Sequence, residues 1–320
     1  RRVGAVGFGG LLHDKPTDSV SFFIDHITRN IKSMPEVEDL SYTMSNFPYS
    51  NSTSTSGLEY NKQGFSPINH YVVDEKFAKV TGMKLLEGRW HSKEDGILPN
   101  RNLVINASLK KAMFGDGPAV GKRIGGEKKE DQKTVIGVVE DVKVEGDYKP
   151  AGYAGYNKLD TGSFRWVGHV LLKVSPQADA AFESRLNKVL ANILKDSNLE
   201  IQHLDEMRAS KNQESTIPMM ICITVAGFLI INVALGLFGV LWYNISQRRG
   251  EIGLRRAIGA SGRSVSLQLI YESLMLTSLS VVAGVFFAVQ FPLLNVFNVA
   301  AGVYITAIVL SILSLVNTHY

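Results

Sequence analysis

From Ile217 to Tyr320 the chain carries seven Lys, Arg, Asp or Glu side chains, and all seven fall between Arg248 and Glu272. That window sits in QRRGEIGLRRAIGASGRSVSLQLIYE and holds five arginines against Glu251 and Glu272. The stretches on either side are apolar enough to cross a bilayer. Arginines in a short loop between two spans resist translocation, so the loop is expected in the cytoplasm. Everything before Ile217 is then expected on the other side of the membrane.

The mean hydropathy of +0.04 reads as an average over two unlike parts. Five of the 34 Lys+Arg and two of the 30 Asp+Glu follow residue 216, leaving 29 basic and 28 acidic residues before it. That balance is a solvated globular surface, so a pI near 9.0 does not imply nucleic-acid binding. The single cysteine, Cys222, excludes an intrachain disulfide. A first part of this size buries about 70% of its unfolded surface without one. RRVGAVGFGGLL at the start is too short and glycine-rich to span or to act as a signal peptide. Because an exported domain needs an export signal, a transmembrane helix is expected immediately upstream of Arg1.

The first part, residues 1–216, alternates helix and strand patterns. Asp18 can cap a helix whose stripe is Val20, Phe23, Ile24, Ile27, Ile31 and Met34, stopped by Pro35. Strands are expected at 37–45, 103–105, 134–139, 169–174 and 199–202. Short helices are expected from Asp74 through Val80 and at 107–113, and a longer one along Phe182, Leu186, Val189, Leu190 and Ile193. Residues 46–66 read as a loop or hairpin tip and 145–165 as irregular. Together these predict an α+β domain. From Asp205 a nearly unbroken helical pattern runs to Tyr243.

The second part, residues 217–320, reads as an all-α membrane domain. Residues 217–243 are 27 without a charge, ~40 Å of helix and enough to span. Trp242 and Tyr243 suit an interfacial belt. Residues 273–318 are a further 46 uncharged residues, ~69 Å if continuous, so they must fold back. Pro292, Asn295, Asn298 and Gly302 place the break at 291–302, giving spans at about 270–290 and 300–318 around a cytoplasmic segment at 244–263. Gly227, Gly236 and Gly239 offer small surfaces for helix packing in lipid. Glu272 reads as interfacial or paired with an arginine.

The chemistry-bearing candidates concentrate in one place. Glu251 lies three residues from Arg248 and four from Arg255, allowing helical ion pairs. Gly250, Gly253, Ala257, Gly259, Ala260 and Gly262 let another surface approach the backbone. Five arginines set among small and apolar residues are more pattern than topology requires, which favours a docking element over a purely topogenic loop. GDGPAVGKR at 115–123 fails as a phosphate loop, because Asp116 stands where the first glycine belongs and Arg123 where Ser or Thr should hold Mg²⁺. Histidines 13, 26, 70, 91, 169, 203 and 319 show no metal-ligand spacing. His91, Glu94 and Asp95 read as a solvated turn. Tyr148, Tyr153, Tyr156, Phe164 and Trp166 read as a loop-covered core or, less favoured, a ligand groove or partner contact.

RRGEIGLRRAIGAS resembles the cytoplasmic signature of MacB/FtsX-like ABC permeases. VVDEKFAKVTGMKLLEGRWHSKEDG, LVINASLKKAMFGDGPAVGKRI and KTVIGVVEDVK, in that order, resemble the periplasmic core domain of the same family. The resemblance implies four membrane helices, of which three are visible here, with the outer domain between the first and second. It implies a bacterial inner-membrane, multi-pass protein with its N-terminal domain in the periplasm. Two permease chains, alike or different, would pair and engage two cytoplasmic ATPase subunits carrying the ATP and Mg²⁺; no cofactor is expected on this chain. Arg248, Arg249, Glu251, Ile252, Arg255, Arg256, Ala257, Gly259 and Ala260 would meet the ATPase and relay its motion to the periplasmic domain, for export or extraction of a substrate. Besides lipid, a periplasmic partner is an option, and nucleic acid is not. The sequence departs from macrolide exporters in showing no fused ATPase and no basic C-terminal tail. Two other readings are a regulator of a cell-wall hydrolase and a membrane-anchored ligand sensor.

Overall fold

The computed structural model describes residues 2–7, 12, 17–96, 102–126, 132–193 and 200–264, with scattered positions from 267 to 290. Residues 291–320, which hold the expected turn and the span at 300–318, lie outside the described residues, as do Glu272, His13 and the Asp18 side chain. The chain divides into two compact units, Arg1–Ile223 and Thr224–Tyr320.

In the first unit, β1 (Arg2–Gly7), α1 (Thr17–Lys32), β2 (Val37–Thr43), β3 (Thr55–Tyr60), β4 (Gln63–Val73), α2 (Phe77–Thr81) and β5 (Leu85–Gly88) come first. They are followed by β6 (Asn102–Asn106), α3 (Ala107–Phe114), β7 (Arg123–Ile124), β8 (Lys133–Val139) and β9 (Tyr153–Lys158). Last come β10 (His169–Val174), α4 (Ala180–Ile193), β11 (Glu200–His203) and the start of α5 (Leu204–Gln247). The strands join one sheet in the order β11-β1-β10-β2-β4-β9-β6-β8-β5, with β3 on β4 and β7 on β8. The pairs β4–β9 and β6–β8 are parallel and the others antiparallel, so this is an α/β domain on a mixed sheet.

Two half-sheets make up that order. β1-α1-β2 and β10-α4-β11 interleave as a split βαβ pair, β11-β1-β10-β2. The other half-sheet, β4-β9-β6-β8-β5, is inserted between β2 and β10 in the chain. The two meet at one paired position, Thr43 opposite Val73. Side chains reinforce that narrow seam. The Asp74 carboxylate accepts from Ser41 Oγ at 2.6 Å and from the Tyr42 N–H at 2.8 Å. Asp39 takes Lys76 and Lys79 at 3.1 and 2.8 Å, which holds its carboxyl near pKa 2 despite burial.

Strand alternation assigns the core faces. In β10, Val170, Leu172 and Val174 face α1 and α4, where Val20, Ile24, Ile27, Ile31, Phe182, Leu186 and Leu190 are buried. Leu171 faces the opposite way, joining Ala5, Tyr71, Val73, Phe77 and Tyr156 in a core that spans both half-sheets. Tyr71 and Tyr156 stack there at 5.0 Å. A third core lies under α3, around Ile68, Leu103, Ile105 and Leu109.

Several sequence expectations change. Of the two readings of residues 46–66 the hairpin holds, with strands longer than a tip: β3 and β4 turn at Asn61 and Lys62, both at positive φ (50° and 62°), the geometry of a two-residue primed turn. Residues 145–165 contain β9, an interior strand of the sheet. The helix expected from Asp74 starts later, at Phe77; the Asp74 carboxylate accepts from the Lys76 N–H at 3.0 Å in the turn before it, as well as from Ser41 and Tyr42 at the seam. The aromatic run splits: Tyr156 is buried, whereas Tyr148 and Trp166 are exposed.

The expected solvated turn at His91 is instead a buried knot. Arg89 forks onto Asp95 at 2.6 and 2.8 Å, and Asp95 also accepts from the Ser92 N–H and Asn102 Nδ2. His91 Nε2 donates to the Tyr156 carbonyl at 2.8 Å, while its buried Nδ1 has no partner among the described residues. Burial lowers its pKa from the ordinary 6.5 to about 4. Between those values the unfolded chain takes up a proton that the folded site refuses. Stability is therefore complete above pH 6.5 and falls as pH drops toward 4, by up to ~3 kcal/mol. His91→Gln should flatten this loss when denaturation is compared at pH 7 and near pH 4.5. An acid dependence identical to that of the unmodified protein would contradict the assignment.

Candidate functional site

α5 carries the first of the expected spans. Among the described residues it is the one helix long and apolar enough to cross a membrane, with mean hydropathy 2.5 in its most apolar stretch. Ile221, Leu229, Val233, Ile230, Ile231 and Trp242 are all more than half exposed, and at ~100° per residue they fall on every side of the helix. A helix apolar all round and bare suits a membrane span better than a water-facing surface. Pro218 lies within it.

The three candidate packing glycines do not share one face. At ~100° per residue, Gly236 and Gly239 are ~60° apart, and Gly227 is ~180° from Gly236. A methyl group at any of the three would meet no atom within 4 Å. Gly236 and Gly239 continue a stripe that includes Asn232 and Tyr243, so this side is the better helix-packing surface.

α5 gives way at Arg248 to α6 (Arg249–Ala257). Arg249, Glu251, Ile252, Arg255, Arg256 and Ala257 lie on α6, and Arg248 occupies the position just before it. Arg255 Nη2 meets Glu251 Oε1 at 2.5 Å, the i,i+4 pair expected from spacing. Both side chains are exposed, so the pair contributes only about 0.3–0.5 kcal/mol. Leu254 and Ile258, 63% and 78% exposed, form an apolar i,i+4 pair beside it. Sequence reading passed over these two, although their spacing was visible. Arg249 and Arg256 lie on the opposite side of the helix.

Gly259 and Ala260 have a more specific role than being small. Gly259 adopts φ 102°, its N–H donates to the Arg256 carbonyl, and the Ala260 N–H donates to the Arg255 carbonyl. This is a complete Schellman stop. Ser261 Oγ then accepts from the Ser264 N–H at 3.2 Å, capping the next helical segment. The described positions from Gly262 to Gln290 are helical. The element is thus a short basic helix with a fixed stop and an immediate restart.

The remaining candidates fall elsewhere. The 115–123 segment is the turn from the α3 C-terminus into β7, with Gly115 and Gly121 at positive φ. Among the described residues no three His, Cys, Asp or Glu side chains gather as metal ligands do.

An α/β head leading into a long apolar helix with an arginine-rich end is the layout of a membrane-anchored protein. The MacB-like periplasmic core domain model matches residues 9–189, and the FtsX-like permease C-terminal model matches 223–318. The chain belongs to the MacB/FtsX-like ABC transporter permeases. The macrolide export ATP-binding/permease protein MacB of Aggregatibacter actinomycetemcomitans is 27% identical over 82% of this chain and 42% of its own length. MacB 1/2 of Paracoccus denitrificans is 25% identical over 69% of this chain and 34% of its own. The chain thus spans less than half of these relatives. The crystal structure of the periplasmic region of MacB from Actinobacillus actinomycetemcomitans aligns with TM-score 0.46 and 19% identity, over 65% of this chain and 91% of that one.

The stop predicts opposite effects from two glycines of the same segment. Gly259→Ala forces an L-residue into left-handed space and should cost ~1–2 kcal/mol. Gly250→Ala, inside α6 with open space around it, should gain up to ~1 kcal/mol. Thermal unfolding of the detergent-purified protein should move the two midpoints in opposite directions; shifts of the same sign would refute the stop.

Proposed function

We propose that this chain is the mechanotransmitting permease subunit of a bacterial ABC transporter, relaying ATP-driven motion to its periplasmic domain for export or extraction of a substrate. The observation that carries this reading is α5, a single 44-residue helix. Its first turns pack in the core that spans both half-sheets, through Leu204 and Met207, and its last residues lead into the arginine helix. Motion applied at one end of such a rod has a contiguous path to the other.

In this reading the chain is multi-pass in the inner membrane, with three helices at about 217–243, 270–290 and 300–318 of an expected four. Residues 1–216 are periplasmic and 244–263 cytoplasmic. The docking surface is α6 and its stop, with Leu254 and Ile258 added as the apolar centre beside Glu251 and Arg255. A cytoplasmic ATPase subunit holds the nucleotide and Mg²⁺, and a second permease chain, packed on small-residue faces such as Gly236 and Gly239, completes the complex. That the curated relatives are named macrolide export proteins favours transport over hydrolase regulation or ligand sensing.

Leu254→Asp and Glu251→Arg should each abolish co-purification of the ATPase and transport, with the thermal midpoint of the periplasmic domain unchanged. Retained ATPase binding and full transport in both variants would exclude α6 as the docking element.

A further inference from the structure

The chain ties α5 directly to one edge of the sheet, because α5 begins straight after β11. A second attachment is made by side chains. The segment 140–152 joins β8 to β9, two strands of the inserted half-sheet, and its Gly146 and Asp147 lie against the first turns of α5. The Asp147 carboxylate accepts from Arg208 Nη2 at 2.7 Å and from Arg208 Nε at 3.0 and 3.1 Å. It also accepts from Asn212 Nδ2 at 2.9 Å, and the Asp147 N–H donates to Asn212 Oδ1 at 2.7 Å. Lys143 Nζ donates to the Asp147 carbonyl at 2.8 Å, closing the loop on itself.

The approach is closer than most residues permit. Gly146 sits at φ 96°, and a Cβ there would lie 2.8 Å from Asn212 Oδ1 and 3.3 Å from the Lys211 backbone. Arg208 and Asn212 are four residues apart and so lie on one face of α5. Directional bonds to two successive turns fix the rotation of the helix about its axis, which apolar packing by Leu204 and Met207 alone leaves loose. The ion pair itself is open to solvent, with side chains 52% and 39% exposed, so it adds little to stability. Its value lies in orientation.

We propose that Asp147, Arg208 and Asn212 are positioning residues that make the inserted half-sheet follow rotation of α5 about its axis, which the packing of Leu204 and Met207 in the shared core leaves loose, so that this motion reaches β4, β9, β6 and β8 as well as β11. This rests on the mechanotransmission reading above. It is tested by amide hydrogen exchange on the full permease–ATPase complex in lipid, with and without a non-hydrolysable ATP analogue. In the unmodified complex, exchange should change on nucleotide binding both in residues 204–215 and in the inserted half-sheet. In Arg208→Ala/Asn212→Ala the α5 change should persist and the half-sheet change should be lost. The thermal midpoint should move by no more than about 2–4 °C. A half-sheet response that survives in the variant overturns the tie while leaving the transmission reading standing. A much larger fall in midpoint also overturns it, by making the contact a structural one. No nucleotide-dependent change in α5 of the unmodified complex defeats the transmission reading, and the tie with it.

Discussion

Guanidinium groups do not cross hydrocarbon cheaply, and the rest of this protein is arranged around that cost. Five arginines confined to one short window divide an otherwise uncharged region into apolar segments on either side. In the proposed topology the window sits in water, and its positive charge favours the cytoplasmic side. A mixed-charge, folded domain before the first segment is then left on the opposite face. The proposed orientation and the placing of α6 both rest on this one restriction.

The periplasmic domain has its own constraint. Its two half-sheets share a single paired position, so continuity across the seam depends on Asp74, Asp39 and their partners, and on the core shared by Ala5, Leu171, Tyr71 and Tyr156. Asp74 is buried, which pushes its carboxyl up, and its bonds to Ser41 and Tyr42 oppose that rise. Leu204 and Met207 of α5 enter this same core. The helix that leads to the membrane is thereby rooted where both half-sheets meet.

What the sequence disclosed follows from how local each signal is. The stripe of α1 and the apolar length of α5 are periodic or compositional, and both elements form where expected. β9 was hidden because Gly155 and Asn157 break its apolar alternation. Its packing comes from neighbours, with Leu103 and His70 lying over the bare Gly155. β3 gave no alternation because it is exposed along its outer half, and its turn lacks glycine. Gly259 read as a small contact residue, whereas its backbone angle makes it a helix stop. Asp147 and its partners are 61 and 65 residues apart, a separation at which no sequence pattern signals contact.

The orientation of the arginine helix is the central claim, and single-cysteine labelling tests it most directly. With Cys222 replaced by Ser, a membrane-impermeant maleimide applied to intact spheroplasts should modify Ser56→Cys, on the exposed start of β3. Arg249→Cys should react only after the membrane is permeabilised. Labelling of Arg249→Cys in sealed spheroplasts, with Ser56→Cys protected, would reverse the topology and contradict the account.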